Sequence, residues 1–150
     1  MKYAHIETER RFLISSMPEG VTSVSEIWDL YVIGTRLRLR KVLTDGRVVL
    51  KLGQKIRLDD GPGRIAHTTM YLNEEEWNML STLPAKRLHK VRHQIERAGV
   101  SIAIDEHGNG TLIAEIDGGE QAPNDPPDWL PVLKEVTHDE QYTGGELATC

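Results

Sequence analysis

Cysteine is almost missing from this chain: its single copy is Cys150, the last residue. An internal disulfide framework is therefore excluded, and a reducing cytoplasm is the expected setting. Cys150 itself reads as a bystander at a frayed end. Long apolar runs are missing as well. None approaches the ~20 residues of a membrane span, the start MKYAHIETER is too charged for a secretory signal, and no membrane partner is expected. Net positive charge is missing too. With 18 Lys and Arg against 23 Asp and Glu, the net charge of −5 argues against a broad nucleic-acid footprint. Trp28, Trp77 and Trp129 are too dispersed to form a base-stacking platform. Internal repeats, low-complexity tracts and long linkers are absent, so residues 1–150 read as one domain with one core.

What is present is charge, unevenly spread. Residues 36–97 hold 14 of the 18 basic residues and 7 acidic ones, whereas residues 98–150 hold only Lys134 against 11 acids. A folded chain can bring such unequal segments together around one site. The dominant sequence period is two, the period of a β-strand. Strands are expected over 24–33, 35–43, 47–58, 64–72 and 87–96, and in the segments SIAIDEH and TLIAEID. The turn signal Asp45-Gly46 joins 35–43 to 47–58 as a hairpin, and His107-Gly108-Asn109-Gly110 joins the last two strands. Loops are expected at 59–63 (DDGPG) and 118–127. One helix should start at Asn73 as N-cap, carry Glu74–Glu76 in its first turn and an apolar stripe of Trp77, Leu80 and Leu83, and end at Pro84. The segment from Asp128 reads as short helical turns closing the chain. Short antiparallel strands with two hairpins suggest a mainly β (α+β) barrel or sandwich.

The strand faces favour the barrel. Glu7, Glu9 and Arg11 alternate in HIETERRFLI and share a face, as do Arg36, Arg38 and Arg40 in TRLRLRKVL. Lys51 with Lys55, Lys90 with Arg92, and Glu115 with Asp117 likewise pair on their strands, and Asp105 stands alone. On an ordinary half-buried sheet such faces are simply solvated. Here they divide by sign, and the alternate positions Leu37, Leu39, Leu50, Leu52, Ala114 and Ile116 suit the outer layer of a barrel covered by helices. Turned inward around a wet lumen, the charged faces would form a cation cage beside a hard-oxygen metal site. Arginine forks and lysine ammoniums bind phosphate oxygens, and carboxylates hold Mg²⁺ or Mn²⁺ that bridges to phosphates.

In order along the chain, these motifs resemble the CYTH superfamily, the triphosphate tunnel metalloenzymes. IETERRF resembles the Glu-x-Glu-x-Lys signature, with Arg11 in place of the Lys. RLRLR resembles the arginine-rich second strand, LKLGQK the strand with a phosphate-binding lysine, and KVRH the Lys-x-Arg strand. IDEHGNGTLIAEID resembles the acidic hairpin, and WLPVLKEVTHDEQYTGGELA the closing Glu-Val-Thr segment. The resemblance implies an eight-stranded antiparallel β-barrel tunnel with a few peripheral helices. It implies a small-molecule triphosphate as partner, Mg²⁺ or Mn²⁺ as cofactor, and leaves a homodimer open. Carried over residue by residue, Glu7, Glu9, Glu115 and Asp117 fall on the metal-side carboxylates, the first three being catalytic. Arg11, Arg38, Arg40, Lys51, Lys90 and Arg92 fall on the phosphate-binding cations, joined by Arg36 and Lys55. Asp105 falls on an acidic position of open role.

The chain departs from the family on one strand. RIAHTTMYL carries His67 and Thr69, or Ala66 and Thr68 in a shifted register, where further glutamates are expected. His67 reads as structural or solvent-facing, with a weak proton acceptor as the alternative; His89, His93, His107 and His138 read as surface residues. The activity expected is a metal-dependent triphosphatase acting on inorganic tripolyphosphate or a nucleoside triphosphate. The alternatives are a class IV-type adenylyl cyclase and a non-catalytic binder of polyphosphate or nucleotide.

Overall fold

The structure, a computed structural model, describes residues 2–58 and 63–150. Of the expected loop 59–63, only Gly63 lies within the described residues.

Eight strands form the body: β1 (His5–Ile14), β2 (Val21–Val32), β3 (Leu37–Thr44), β4 (Arg47–Arg57), β5 (Arg64–Tyr71), β6 (Ala85–Arg97), β7 (Val100–His107) and β8 (Leu112–Asp117). Each pairs antiparallel with its neighbours in the order β5-β4-β3-β2-β6-β7-β8-β1, and β1 pairs back to β5, so the sheet closes. Tight turns set the register. Asp45 and Gly46 both take positive φ (49° and 76°) between the paired Thr44 and Arg47. That is the two-residue turn whose twist matches flanking strands. Ala98 and Gly99 (52° and 75°) do the same between Arg97 and Val100, without the Asn or Asp that would have marked the turn in the sequence.

Closure is achieved by dividing β1 between two partners. His5–Thr8 pair with β5, and Glu9–Ile14 pair with β8. Where β5 has ended, a ninth strand, β9 (Val132–Glu135), takes the free edge of β1 at Phe12–Ile14. This corrects the helical reading of that segment: an open edge supplies backbone partners that outweigh weak local preference. Helical turns do follow, as a 3₁₀ turn at Glu140–Tyr142 and a short α2 at Gly144–Leu147. The expected helix is α1 (Glu74–Leu80), opened by a reciprocal cap. Asn73 Oδ1 accepts from the Glu76 backbone N–H, and Glu76 Oε1 accepts from the Asn73 N–H, both at 2.8 Å. It ends at Ser81, ahead of Pro84.

The apolar core lies outside the barrel wall. Phe12, Ile14, Ile95, Ile102, Ile104, Ala114 and Ile116 face away from the lumen and pack with Leu130, Met17 and Trp129. Of the positions expected in the outer apolar layer, Ala114 and Ile116 belong to this core and Leu39 is buried, whereas Leu37 lines the cavity; coil segments rather than helices cover this part of the layer. Burying this layer outside leaves the inner faces of the same strands free to carry charge. Among the described residues no helix is long and apolar enough to cross a membrane.

Candidate functional site

The inner faces enclose a cavity of about 890 Å³. Strand alternation alone puts Glu7, Glu9 and Arg11 of β1 into it. It also brings in Arg36, Arg38 and Arg40 at and within β3, Lys51 and Lys55 of β4, Lys90 and Arg92 of β6, and Asp105, Glu115 and Asp117 of β7 and β8. All the site residues expected from the sequence meet there. Gly53 lies between Lys51 and Lys55 on β4; a Cβ there would stand 3.2 Å from His67 Nε2 and 3.7 Å from the Arg38 guanidinium. Glycine is what lets the His67 ring approach that wall; the Arg38 guanidinium would meet a Cβ at ordinary contact distance.

The cations of β3 and β6 are not all free. Asp29 of β2, only 1% exposed, accepts from Arg40 Nε at 2.6 Å and Nη2 at 2.8 Å, and Arg38 Nε stands 3.9 Å away. Asp105, 2% exposed, accepts from Lys90 Nζ at 2.8 Å and from Arg92 Nε and Nη2 at 2.7 and 2.9 Å. Burial alone would raise the pKa of both aspartates, yet these partners hold both below the ordinary carboxylate range. Lys90 and Lys51 are pushed down, first by burial and then, for Lys51, by Arg40, Arg38 and Arg92. Arg38 is also lowered by burial, and its Nε is buried without a hydrogen-bond partner. Arg36 and Lys55 are exposed at the lining. Arg11 is buried; its guanidinium donates to the Tyr142 carbonyl and lies 3.7 Å from Glu115. The C-terminal segment thus reaches the lumen, and a side chain at Gly144 would collide with the Tyr31 hydroxyl.

The carboxylate side is built differently. Burial, with Glu115 next in weight, pushes the Glu9 pKa up to about 7. Glu115 is held below its usual range: burial, the largest single influence, opposes this, but Arg92, 3.5 Å away, together with Lys90 and Lys55 outweighs it. Glu7 Oε1 is 3.0 Å from His67 Nδ1, a hydrogen bond that lowers the Glu7 pKa, and Thr69 Oγ1 is 3.3 Å from His67 Nε2. The register on β5 is thereby settled. His67 and Thr69 face the lumen and Ala66 does not, so of the two readings of His67 the solvent-facing one is corrected and the structural one stands. Asp117 sits exposed at the rim, where its Oδ1 accepts the Gly119 N–H at 2.7 Å. Among the described residues, no group of three or more His, Cys, Asp or Glu side chains is arranged to hold a metal ion. The donors nonetheless fit a small hard cation in a narrower way. Glu9 and Glu115 are oxygen ligands whose mutual repulsion a cation would relieve, and Mg²⁺ needs only one or two carboxylates when phosphates and waters complete its shell.

Among the residues that escaped the sequence reading, Tyr31 and His107 line the cavity, and Asp29 binds the lining residue Arg40 without lining the cavity itself. Asp29 and Tyr31 alternate with Ile27 on β2, so the period that exposed Arg36, Arg38 and Arg40 would also have exposed them. His107 was read as a surface residue. It is 8% exposed, lines the cavity across from Lys90, and has a buried Nδ1 without a partner.

No protein-family model matches the chain, and no curated protein does. Solved structures do. The inorganic triphosphatase NE1496 superposes with a TM-score of 0.59 at 20% identity, covering 95% of this chain and 93% of that one. A second structure, of the hypothetical protein NE1496, gives 0.59 at 19%, covering 95% and 97%. The PH1819 protein from Pyrococcus horikoshii OT3 gives 0.58 at 19%, covering 81% and 80%. At these identities the likeness is one of fold, and it extends over nearly the whole barrel.

Proposed function

On the premise that the chain carries the fold expected of the CYTH superfamily, shared with an inorganic triphosphatase, we propose that it is a divalent-metal-assisted phosphoanhydride hydrolase of a triphosphate. One observation supports this reading: cations of the kind that bind phosphate and a repelling carboxylate pair line the same cavity. Arg38 offers an unpartnered donor, and Lys51 and Lys55 lie on the adjacent strand, so the β3–β4 wall receives phosphate oxygens. Lys90 and Arg92, oriented by the single carboxylate of Asp105, keep a net positive field around the chain of phosphates, while Arg40 is oriented by Asp29, which offsets its charge. Such preset charges need no reorganisation as charge shifts toward the leaving phosphate. Mg²⁺ or Mn²⁺, held by Glu9 and Glu115 with phosphate oxygens, would supply charge neutralisation and a polarised water. Glu7 orients the His67 ring toward Thr69 beside this pair.

A second reading has a specific observation in its favour. A binder without turnover would also show a cation cage, and His67 and Thr69 stand where the family carries further acids. Products decide between the readings. Purified protein is assayed for phosphate release from tripolyphosphate, ATP, GTP and thiamine triphosphate with Mg²⁺ or Mn²⁺, beside a cyclic-nucleotide assay on ATP. Phosphate release supports the hydrolase. A cyclic nucleotide with pyrophosphate would make it a cyclase, and tight binding with no product would make it a binder.

A further inference from the structure

Asp29 has no place in the cation cage that the sequence implies and does not itself line the cavity, yet it is only 1% exposed and is bonded to Arg40, which does. Its two oxygens take the fork of Arg40 at 2.6 and 2.8 Å. That bidentate pairing fixes the guanidinium and offsets its charge. Arg38, two residues along the same strand face, is close enough to feel Asp29 but too far to bond it at 3.9 Å. Its buried Nε keeps an empty donor position, and an unfilled buried donor favours any ligand that brings an acceptor. The wall therefore combines one cation restrained by a carboxylate with one that bonds only the Tyr31 hydroxyl and keeps its Nε free. Lys51, paired across β3–β4 with Arg40, and Lys55, four residues along β4, continue the line of cations.

Charge that is offset in advance weakens the hold on any anion, but not on all anions equally. A short anion, which reaches few donors, depends on raw field strength. A triphosphate long enough to meet Arg38, Lys51 and Lys55 together depends more on their number and placement. We propose that Asp29 is a positioning residue that sets the preference for triphosphate over pyrophosphate, by fixing Arg40 and offsetting its charge. The inference rests on the triphosphate reading above. It gives the cage a release function, because a pyrophosphate left after hydrolysis would otherwise remain in a lumen lined with cations.

The test is Asp29→Asn, which keeps the shape and removes the charge. Metal-free calorimetric titrations with tripolyphosphate and with pyrophosphate are compared on wild type and variant. Pyrophosphate is expected to bind roughly tenfold tighter to the variant, the charge of Arg40 being no longer offset. Tripolyphosphate should change less, so the ratio of the two affinities shrinks. In steady state kcat should fall without a rise in KM, with stronger product inhibition by pyrophosphate. An unchanged ratio in a folded variant overturns the inference. If Asp29→Asn does not fold, the double variant Asp29→Asn/Arg40→Gln removes charge and counter-charge together. It should bind both anions more weakly while keeping the wild-type ratio, and a collapsed ratio there overturns the inference equally. Wild type that binds neither anion would instead sink the triphosphate reading itself.

Discussion

The two sides of the lumen solve the problem of buried charge in opposite ways. On the β2–β3 and β6–β7 side each carboxylate has its cations at hydrogen-bond distance: Asp29 holds Arg40, and Asp105 holds Lys90 and Arg92. On the β1–β8 side Glu9 faces Glu115 and its pKa is pushed up to about 7 by burial and by that neighbour. The carboxylates of the first wall are paired before any ligand arrives, although Arg38 Nε is not. The second is eased in part by Arg11, Lys55 and Arg92 and would be relieved further by a proton or a metal cation. A tunnel built this way presents a fixed surface to phosphate and a responsive one to metal, and the two should fail differently when broken.

The largest effect is expected from Asp105→Ala. It leaves Lys90 buried without its bonded counter-charge and Arg92 with only Glu115 at 3.5 Å, which costs about 3–5 kcal/mol, a fall in Tm of roughly 10 °C for a chain of this size. Differential scanning calorimetry measures it. A loss below about 1 kcal/mol would mean that the cation wall is not held by its aspartates. A smaller shift, of the opposite sign, should come from the ligand. Tripolyphosphate binds only the folded lumen and should stabilise it by about 2.7 kcal/mol at a hundredfold excess over Kd. Chloride at equal ionic strength should do less, and equal melting shifts in the two salts would count against a phosphate site.

Acid should separate the walls further, with the smallest effect of the three. Asp105 has its pKa lowered in the folded state, so its contribution to stability is present above the ordinary aspartate value of 3.8. That contribution is lost as pH falls below this value and the folded protein must take up the proton. The wild type should therefore lose stability steeply below about pH 4. Asp105→Asn, having no such proton to bind, should show a shallower decline, read from urea midpoints between pH 3 and 5. Parallel slopes would contradict the pairing.

Period two made most of this architecture legible. The strand faces that carry Glu7 and Glu9, Arg38 and Arg40, or Lys90 and Arg92 can be read from spacing alone, and each turned out to face one cavity. What spacing could not show was pairing across strands. Nothing local marks Asp29 as the partner of Arg40 eleven residues on, or His67 as the partner of Glu7 sixty residues back. The sign segregation seen along the chain also breaks down in space, since two buried aspartates stand inside the cation wall. β9 was hidden for a related reason: Val132–Glu135 has little strand signal, and only the edge left by β5 on β1 makes a strand of it. His107 looked like turn chemistry because it precedes Gly108-Asn109-Gly110, yet it is the last lumen-facing position of β7.

The division into a fixed phosphate wall and a responsive metal wall is tested most directly by paired calorimetric titrations, with Mn²⁺ and with tripolyphosphate, on Glu9→Gln and Arg38→Ala. Glu9→Gln removes a hard charged ligand and leaves the arginines in place. Mn²⁺ affinity should fall by at least about tenfold, or ~1.4 kcal/mol, while metal-free tripolyphosphate binding persists or tightens because a nearby negative charge has gone. Arg38→Ala should weaken tripolyphosphate by a similar factor and leave Mn²⁺ nearly unchanged. Loss of metal-free tripolyphosphate binding in Glu9→Gln, with none in Arg38→Ala, would contradict the division.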